Sequence, residues 1–255
     1  MRRKLAAFIL VTLFVTLVGL AADDKESKKD GGGSPDVRRA AQRGLEPFND
    51  WVGSWNGVGQ PKRMSSKGAW TERADWAWKL DKESAGLKVE VKGGKQFQSG
   101  VLSFDPAEKH YRFIGKLADG TSRVYVGDRA EEGKLVLAGT DETTKDQHRI
   151  TFQMRHEDRL LLLIESKSAG QPSFARVAEV GYTREGGSFA AAADAGPKCI
   201  VTGGRGSISV SYKGKTYYVC CSGCKQAFDD DPEGIIAEAA ERVKKEAAEK
   251  KKAKS

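Results

Sequence analysis

The chain keeps cysteine out of its first 198 residues. All four cysteines, Cys199, Cys220, Cys221 and Cys224, fall within one stretch near the C-terminal end. This absence excludes a disulfide framework from everything before Cys199. It also excludes a lipid-modified cysteine directly after the N-terminal apolar run. Histidine is almost as scarce, limited to His110, His148 and His156. Glu72, Asp75, Glu90 and Asp105 are scattered acids with no nucleophile beside them. No catalytic constellation emerges, so a binding protein is expected rather than an enzyme. A basic stripe interleaved with aromatics is also missing. The formal charge is +8, and Arg2, Arg3 and Lys4 at the start account for three of it, leaving +5. Much of the remainder lies in the lysines of the last turns, a pattern for a solvated tail rather than for nucleic-acid binding.

The chain has a single long apolar run, Leu5–Leu20, broken only by Thr12, Thr16 and Gly19. Arg2, Arg3 and Lys4 precede it and the small residues of Gly19-Leu20-Ala21 close it. Residues 1–22 therefore read as a secretory signal. The run is also long enough to stay as a membrane anchor if uncleaved. Either way the rest is expected to be exported, in a periplasm or secreted. Residues 23–36 are Asp, Lys, Glu, Ser and Gly apart from Pro35, with too little apolar surface to offset the entropy of ordering, and read as a disordered linker. The small residues of 186–196 form a second linker. Two folded units are expected, 37–185 and 197–238, followed by a charged tail, 239–255.

Val37–Trp51 has helical spacing, with Leu45, Phe48 and Trp51 on one stripe. Beyond it the period becomes two. About ten strands follow: Trp55–Gln60, Gly68–Leu80, Gly86–Lys92, Gln96–Asp105, His110–Lys116, Ser122–Asp128, Lys134–Thr140, His148–His156, Leu160–Lys167 and Phe174–Thr183. Short turns such as Asp105-Pro106 and Ala118-Asp119-Gly120 separate them, which implies an antiparallel meander. A meander this long closes on itself to remove its two edges, and a closed barrel is expected. On one strand His148, Ile150, Phe152, Met154 and His156 share the inward face, with Arg149, Thr151, Gln153 and Arg155 outward. Trp70, Trp76 and Trp78 are expected as barrel core or surface ladder.

The stretch Trp51-Val52-Gly53-Ser54-Trp55-Asn56-Gly57-Val58-Gly59 resembles the opening of calycin barrels. Its Gly-x-Trp piece is like that of lipocalins, and its Gly-x-Trp-x-Gly-x-Gly piece is similar to nitrobindin-type barrels. The resemblance implies that Trp55 plugs one end and that the interior can take a small apolar ligand. Nitrobindins hold haem through a histidine near the end of the domain, and Phe174–Thr183 has none. His148 and His156 are the remaining candidates for a cofactor, eight residues apart, roughly 26 Å along a strand and hence at opposite rims.

In the C-terminal unit, Ser207–Tyr212 and Lys215–Val219 form a hairpin around Lys213-Gly214. Cys199 lies before it, and Cys220, Cys221 and Cys224 come at its end, where Gly223 is expected to permit a tight turn. A hairpin brings its ends together, so Cys199, Cys220 and Cys224 can converge. A unit of roughly forty residues needs a metal or a disulfide to supplement its core. Three thiolates favour Zn²⁺ or Cu(I) over hard cations.

Lys213-Gly214-Lys215-Thr216-Tyr217-Tyr218-Val219-Cys220, Ser222-Gly223-Cys224-Lys225-Gln226-Ala227-Phe228 and Asp230-Asp231-Pro232 resemble the TRASH domain and its kin, the YHS domain. These are treble-clef-like modules of proteins that sense, traffic or resist heavy metals. The resemblance implies Cys199, Cys220 and Cys224 as ligands. Cys221 is an extra thiol, and the fourth ligand is open among Cys221, Asp229, Asp230, water or a second chain. The rival reading is a disulfide staple, as Cys199–Cys220 with Cys221–Cys224 or as Cys199–Cys224 with a free pair. In that case the chain is a lipocalin-like ligand carrier. A haem or redox protein is the third reading. Pro232 opens the last helix, with Ile236, Ala240, Val243 and Ala247 as its apolar stripe and a solvated face around it.

Overall fold

The computed structural model describes residues 35–128, 130–131, 133–186 and 196–252. The expected signal, nearly all of the first linker, the centre of the second linker (187–195) and the last three residues lie outside the described residues. Among the described residues, no helix is long and apolar enough to cross a membrane.

The expected helix over 37–51 divides in two. An α-helix, α1 (Pro35–Leu45), is followed by a 3₁₀ helix, Glu46–Trp51. Pro47 is the cause. It lacks an N–H to donate back along an α-helix, and its ring disfavours the α conformation of the residue before it. Leu45, Phe48 and Trp51 nonetheless form the buried stripe and are all at most 2% exposed.

The barrel strands are β1 (Gly53–Gln60), β2 (Trp70–Leu80), β3 (Ala85–Lys92), β4 (Phe97–Asp105), β5 (His110–Leu117), β6 (Ser122–Gly127), a two-residue β7 (Ala130–Glu131), β8 (Lys134–Thr140), β9 (Gln147–His156), β10 (Arg159–Lys167) and β11 (Ala175–Arg184). Every pairing is antiparallel. β1 pairs with β11, and β6 meets β8 at Val126 and Ala138, which closes a ten-strand barrel. β7 only extends the β8 edge. The ten expected strands are all present, with ends shifted by no more than two residues.

Period-two alternation places Trp70, Ala74, Trp76 and Trp78 of β2 inside, all buried. Their rings belong to a continuous aromatic filling. Trp51 packs on Trp76 and Phe152, Phe152 on Phe113, and Phe113 on Phe97 and Tyr125, with ring centroids 5.0–6.3 Å apart. The barrel's own rings thus occupy much of its axis. Trp55 is fully buried at one end, as the Gly-x-Trp resemblance implies. Its indole N–H donates to the Trp51 carbonyl at 2.8 Å, and the Arg184 guanidinium lies 4.2 Å above its ring. Arg184 also donates to the Val52 and Glu157 carbonyls, so one side chain ties the end of the last strand to the start of the first.

One inward position of β2 is an acid. Glu72 is only 9% exposed and accepts hydrogen bonds from the Trp70 indole N–H and the Tyr182 hydroxyl. Burial first, and the Glu72 charge second, hold the Tyr182 phenol well above its ordinary range, so it remains the donor. Removing that donor leaves a buried carboxylate under-satisfied. Tyr182→Phe is expected to cost about 1–3 kcal/mol in urea denaturation. An unchanged midpoint would show that Trp70 alone satisfies Glu72.

Candidate metal centre

The C-terminal unit begins with a knuckle. Cys199 N–H donates to the Gly204 carbonyl at 2.7 Å, and Gly203 N–H returns to the Cys199 carbonyl at 2.8 Å. Gly203 has φ +76°, a conformation that glycine adopts without strain. The hairpin follows as β12 (Ile208–Tyr212) and β13 (Lys215–Val219). Its turn has positive φ at both Lys213 (47°) and Gly214 (74°), the mirror-image turn that matches the twist of a two-residue hairpin. Helix α2 (Ser222–Asp230) starts directly after Cys220-Cys221, and α3 (Pro232–Lys252) follows it. This is the ββα arrangement expected from the sequence.

These elements bring the sulfurs of Cys199, Cys220 and Cys224 within 4.8 Å of one another. Cys220 Sγ is 3.4 Å from Cys224 Sγ and 3.8 Å from Cys221 Sγ. All four cysteines are free. The spacing fits a metal. A metal–sulfur bond of about 2.3 Å sets the sulfurs of a tetrahedral site about 3.8 Å apart, whereas bonded sulfurs lie near 2.05 Å. Cys199 and Cys224 are fully buried, and Cys220 is half-buried. Hydrogen bonds from the Cys220 and Cys224 thiols pull Cys199 far below the ordinary thiol range, and the same two thiols pull Cys221 down. Cys220 and Cys224 are pushed up because they donate to those sulfurs, Cys199 above all. The metal-free cluster therefore shares protons among its sulfurs, and a soft cation would replace them.

The cluster lies against the barrel. Cys220 and Cys221 line a cleft of about 560 Å³, with Asp75, Glu157, Arg184 and Arg205 among the residues around it. β2 runs past the start of β1, whose pairing with it begins at Gly53 and Trp76. Trp78 lies beyond that point, and the module meets its backbone. The Trp78 N–H donates to Cys221 Sγ at 3.3 Å, and Gly223 packs on the Trp78 carbonyl. A Cβ at Gly223 would lie 1.8 Å from that oxygen. The role of Gly223 thus differs from the expected one. It sits in the first turn of α2 without positive φ, and close approach rather than turn geometry requires it.

The knuckle is held from two other sides. Asn49 accepts from the Trp78 indole N–H and donates to the Thr202 carbonyl at 3.0 Å. Gln42 of α1 and Arg242 of α3 both donate to the Val201 carbonyl, and Arg242 also reaches the Ile200 carbonyl. The barrel and the cysteine unit consequently share one hydrophobic core. The tail helix is correspondingly less solvated than expected at its start. Ile235 and Ala239 are its buried positions, one residue from the expected stripe, and Val243 is 62% exposed. Arg242 continues the side of Ile235 and Ala239, three residues further on, and its guanidinium binds the knuckle carbonyls.

The remaining sequence candidates stay apart from the cluster. Asp229 and Asp230 are exposed, and Asp229 pairs with Lys225 at 2.5 Å. His148 and His156 sit at opposite ends of β9. His148 is half-buried, and burial lowers its pKa. A bulge where β9 meets β10 leaves His156 exposed, its Nδ1 accepting from the Asp158 N–H at 3.5 Å. Sequence reasoning missed Asn49, Gln42 and Arg242, and read Glu72 only as a scattered acid. Only Glu72 carried a usable signal, its even spacing from Trp70 and Trp76.

Residues 205–234 match the YHS domain. The match covers the hairpin, Cys220, Cys221, Cys224 and α2, and the knuckle with Cys199 precedes it. The YHS match and the converged cysteines together indicate a heavy-metal-binding type of module. No curated protein matches the sequence. Among solved structures, the chain is similar to Rv2717c from M. tuberculosis, at 15% identity and a TM-score of 0.39, over 56% of this chain and 97% of that one.

Proposed function

We propose that this chain is an exported metal-handling protein that binds a thiophilic ion, Zn²⁺ or Cu(I), through Cys199, Cys220 and Cys224. The convergence of those three sulfurs from three separate elements carries the reading. Thiolates select soft cations over Mg²⁺ or Ca²⁺. Export is supported by the charged N-region and apolar run of residues 1–22. The barrel acts chiefly as the wall against which the centre is built, since its rings fill its axis and its rim meets Cys221 and Gly223. Elemental analysis of the purified full-length protein is expected to find an equimolar thiophilic metal, lost in Cys220→Ser. Metal-free protein that takes up neither Zn²⁺ nor Cu(I) would refute the reading.

The burial of Cys199 and Cys224 favours a second reading, in which the ion is structural and is not passed on. The half-exposed Cys220 at the cleft favours exchange. Exchange of bound metal with a chelator within minutes supports handling, and retention over days supports a staple.

A further inference from the structure

We propose that Cys221 is the fourth sulfur ligand of this centre and that the barrel presents it, so that one ion joins the module to the barrel. The inference rests on the metal reading above. Three sulfurs leave a tetrahedral ion one ligand short. The carboxylates nearest in sequence, Asp229 and Asp230, point elsewhere, as their exposure and the Lys225 ion pair show. Cys221 meets the requirement. It is 8% exposed, and its sulfur lies 3.8 Å from Cys220 Sγ, the edge length of a tetrahedral sulfur site. Its sulfur stands just outside the set of three that lie within 4.8 Å of one another, so a shift of that sulfur toward the set closes the tetrahedron.

The barrel decides where that sulfur points. An N–H donor to a ligating sulfur is the usual outer contact that orients a metal ligand and tunes its basicity. Here the donor is the backbone of Trp78, freed for the purpose because β1 stops before reaching it. The approach is close enough only because residue 223 has no side chain. Among the described residues, Cys221 is thus the thiol whose backbone N–H donor lies in the barrel. A metal bound by all four sulfurs bonds to the module through Cys199, Cys220 and Cys224 and is braced by the barrel through Cys221.

The test uses full-length protein loaded with Co²⁺, whose sulfur-to-metal charge-transfer absorption scales with the number of thiolates. Wild type is expected to show a four-thiolate tetrahedral spectrum. Cys221→Ser is expected to bind one ion still, with about a quarter less charge-transfer intensity. Its affinity should fall by roughly the 10–100-fold that loss of an outer-shell partner costs, or more. Full intensity and affinity in Cys221→Ser would overturn the proposal while leaving the three-cysteine reading intact. Failure of wild type to bind Co²⁺, Zn²⁺ or Cu(I) would overturn both. If Cys221→Ser does not fold, X-ray absorption of the Zn²⁺-loaded wild type decides. Four sulfur neighbours support the proposal, and three sulfurs with one nitrogen or oxygen overturn it.

Discussion

Replacing Gly223 by alanine is expected to lower the stability of the whole chain by about 3 kcal/mol, the upper end of what overpacking costs. The added methyl would meet the Trp78 carbonyl oxygen at 1.8 Å, and a backbone oxygen of a strand held by its pairing with β3 cannot turn aside as a side chain can. α2 must move instead. It carries Cys224 and Phe228, both at most 2% exposed, so the movement reopens the shared core and separates Cys221 from its Trp78 donor. For a chain of this size the loss corresponds to a fall of roughly 6–12 °C in the thermal midpoint. Metal affinity should fall with it, because a positioned ligand is displaced. Gly181→Ala is the control. Gly181 also lies in the barrel, but nothing stands within 4 Å of its would-be Cβ, so a change within about 0.5 kcal/mol is expected. Equal midpoints for the Gly223 and Gly181 variants by circular dichroism would show that the docking contact is not needed.

The contrast between Gly214 and Gly223 shows what the sequence makes legible. Gly214 follows Lys213 between two alternating runs, and that local pattern is enough to place a mirror-image turn there. The barrel strands were legible for the same reason. Their alternation and turn chemistry are properties of adjacent residues, and closure follows from the need to remove edges. Gly223 also looked like a turn residue, but its real constraint comes from Trp78, far away in sequence. No local pattern carries that contact. The same holds for Asn49, Gln42 and Arg242, which read as ordinary polar surface until the fold brings the knuckle carbonyls to them. The sulfur set was legible because hairpin spacing alone forces its ends together. Cys221 was legible only as one of several candidates for a fourth ligand, because its Trp78 donor belongs to another unit. At 37–51 the stripe was right and the helix type was wrong, since Pro47 changes backbone hydrogen bonding without disturbing which side chains face inward.

Stripping the metal is expected to destabilise the barrel as well as the module that binds it. If the ion binds only the folded state, loading at a thousandfold excess over the dissociation constant contributes about 4.1 kcal/mol. In a tethered module that gain would stay local, and the barrel would unfold at one temperature with or without metal. Here Val201, Val219, Cys224 and Phe228 belong to the same core as Trp51, Trp76 and Trp78, so the two units are expected to melt together. A chelator should therefore lower one cooperative transition by roughly 8–16 °C at that loading. Cys224→Ser should start low and ignore the chelator, because it cannot bind the ion. Acid should act in the same direction as the chelator. Cys220 and Cys224 are held protonated in the metal-free cluster, so binding must release their protons, and affinity falls as pH falls. Tryptophan fluorescence reports the barrel, through Trp55, Trp76 and Trp78, and far-ultraviolet dichroism reports the helices of the module as well. Coincident curves that shift together on chelation establish one folding unit around the metal. A metal-independent tryptophan transition would instead separate the barrel from the centre and leave the Trp78 contact as packing alone.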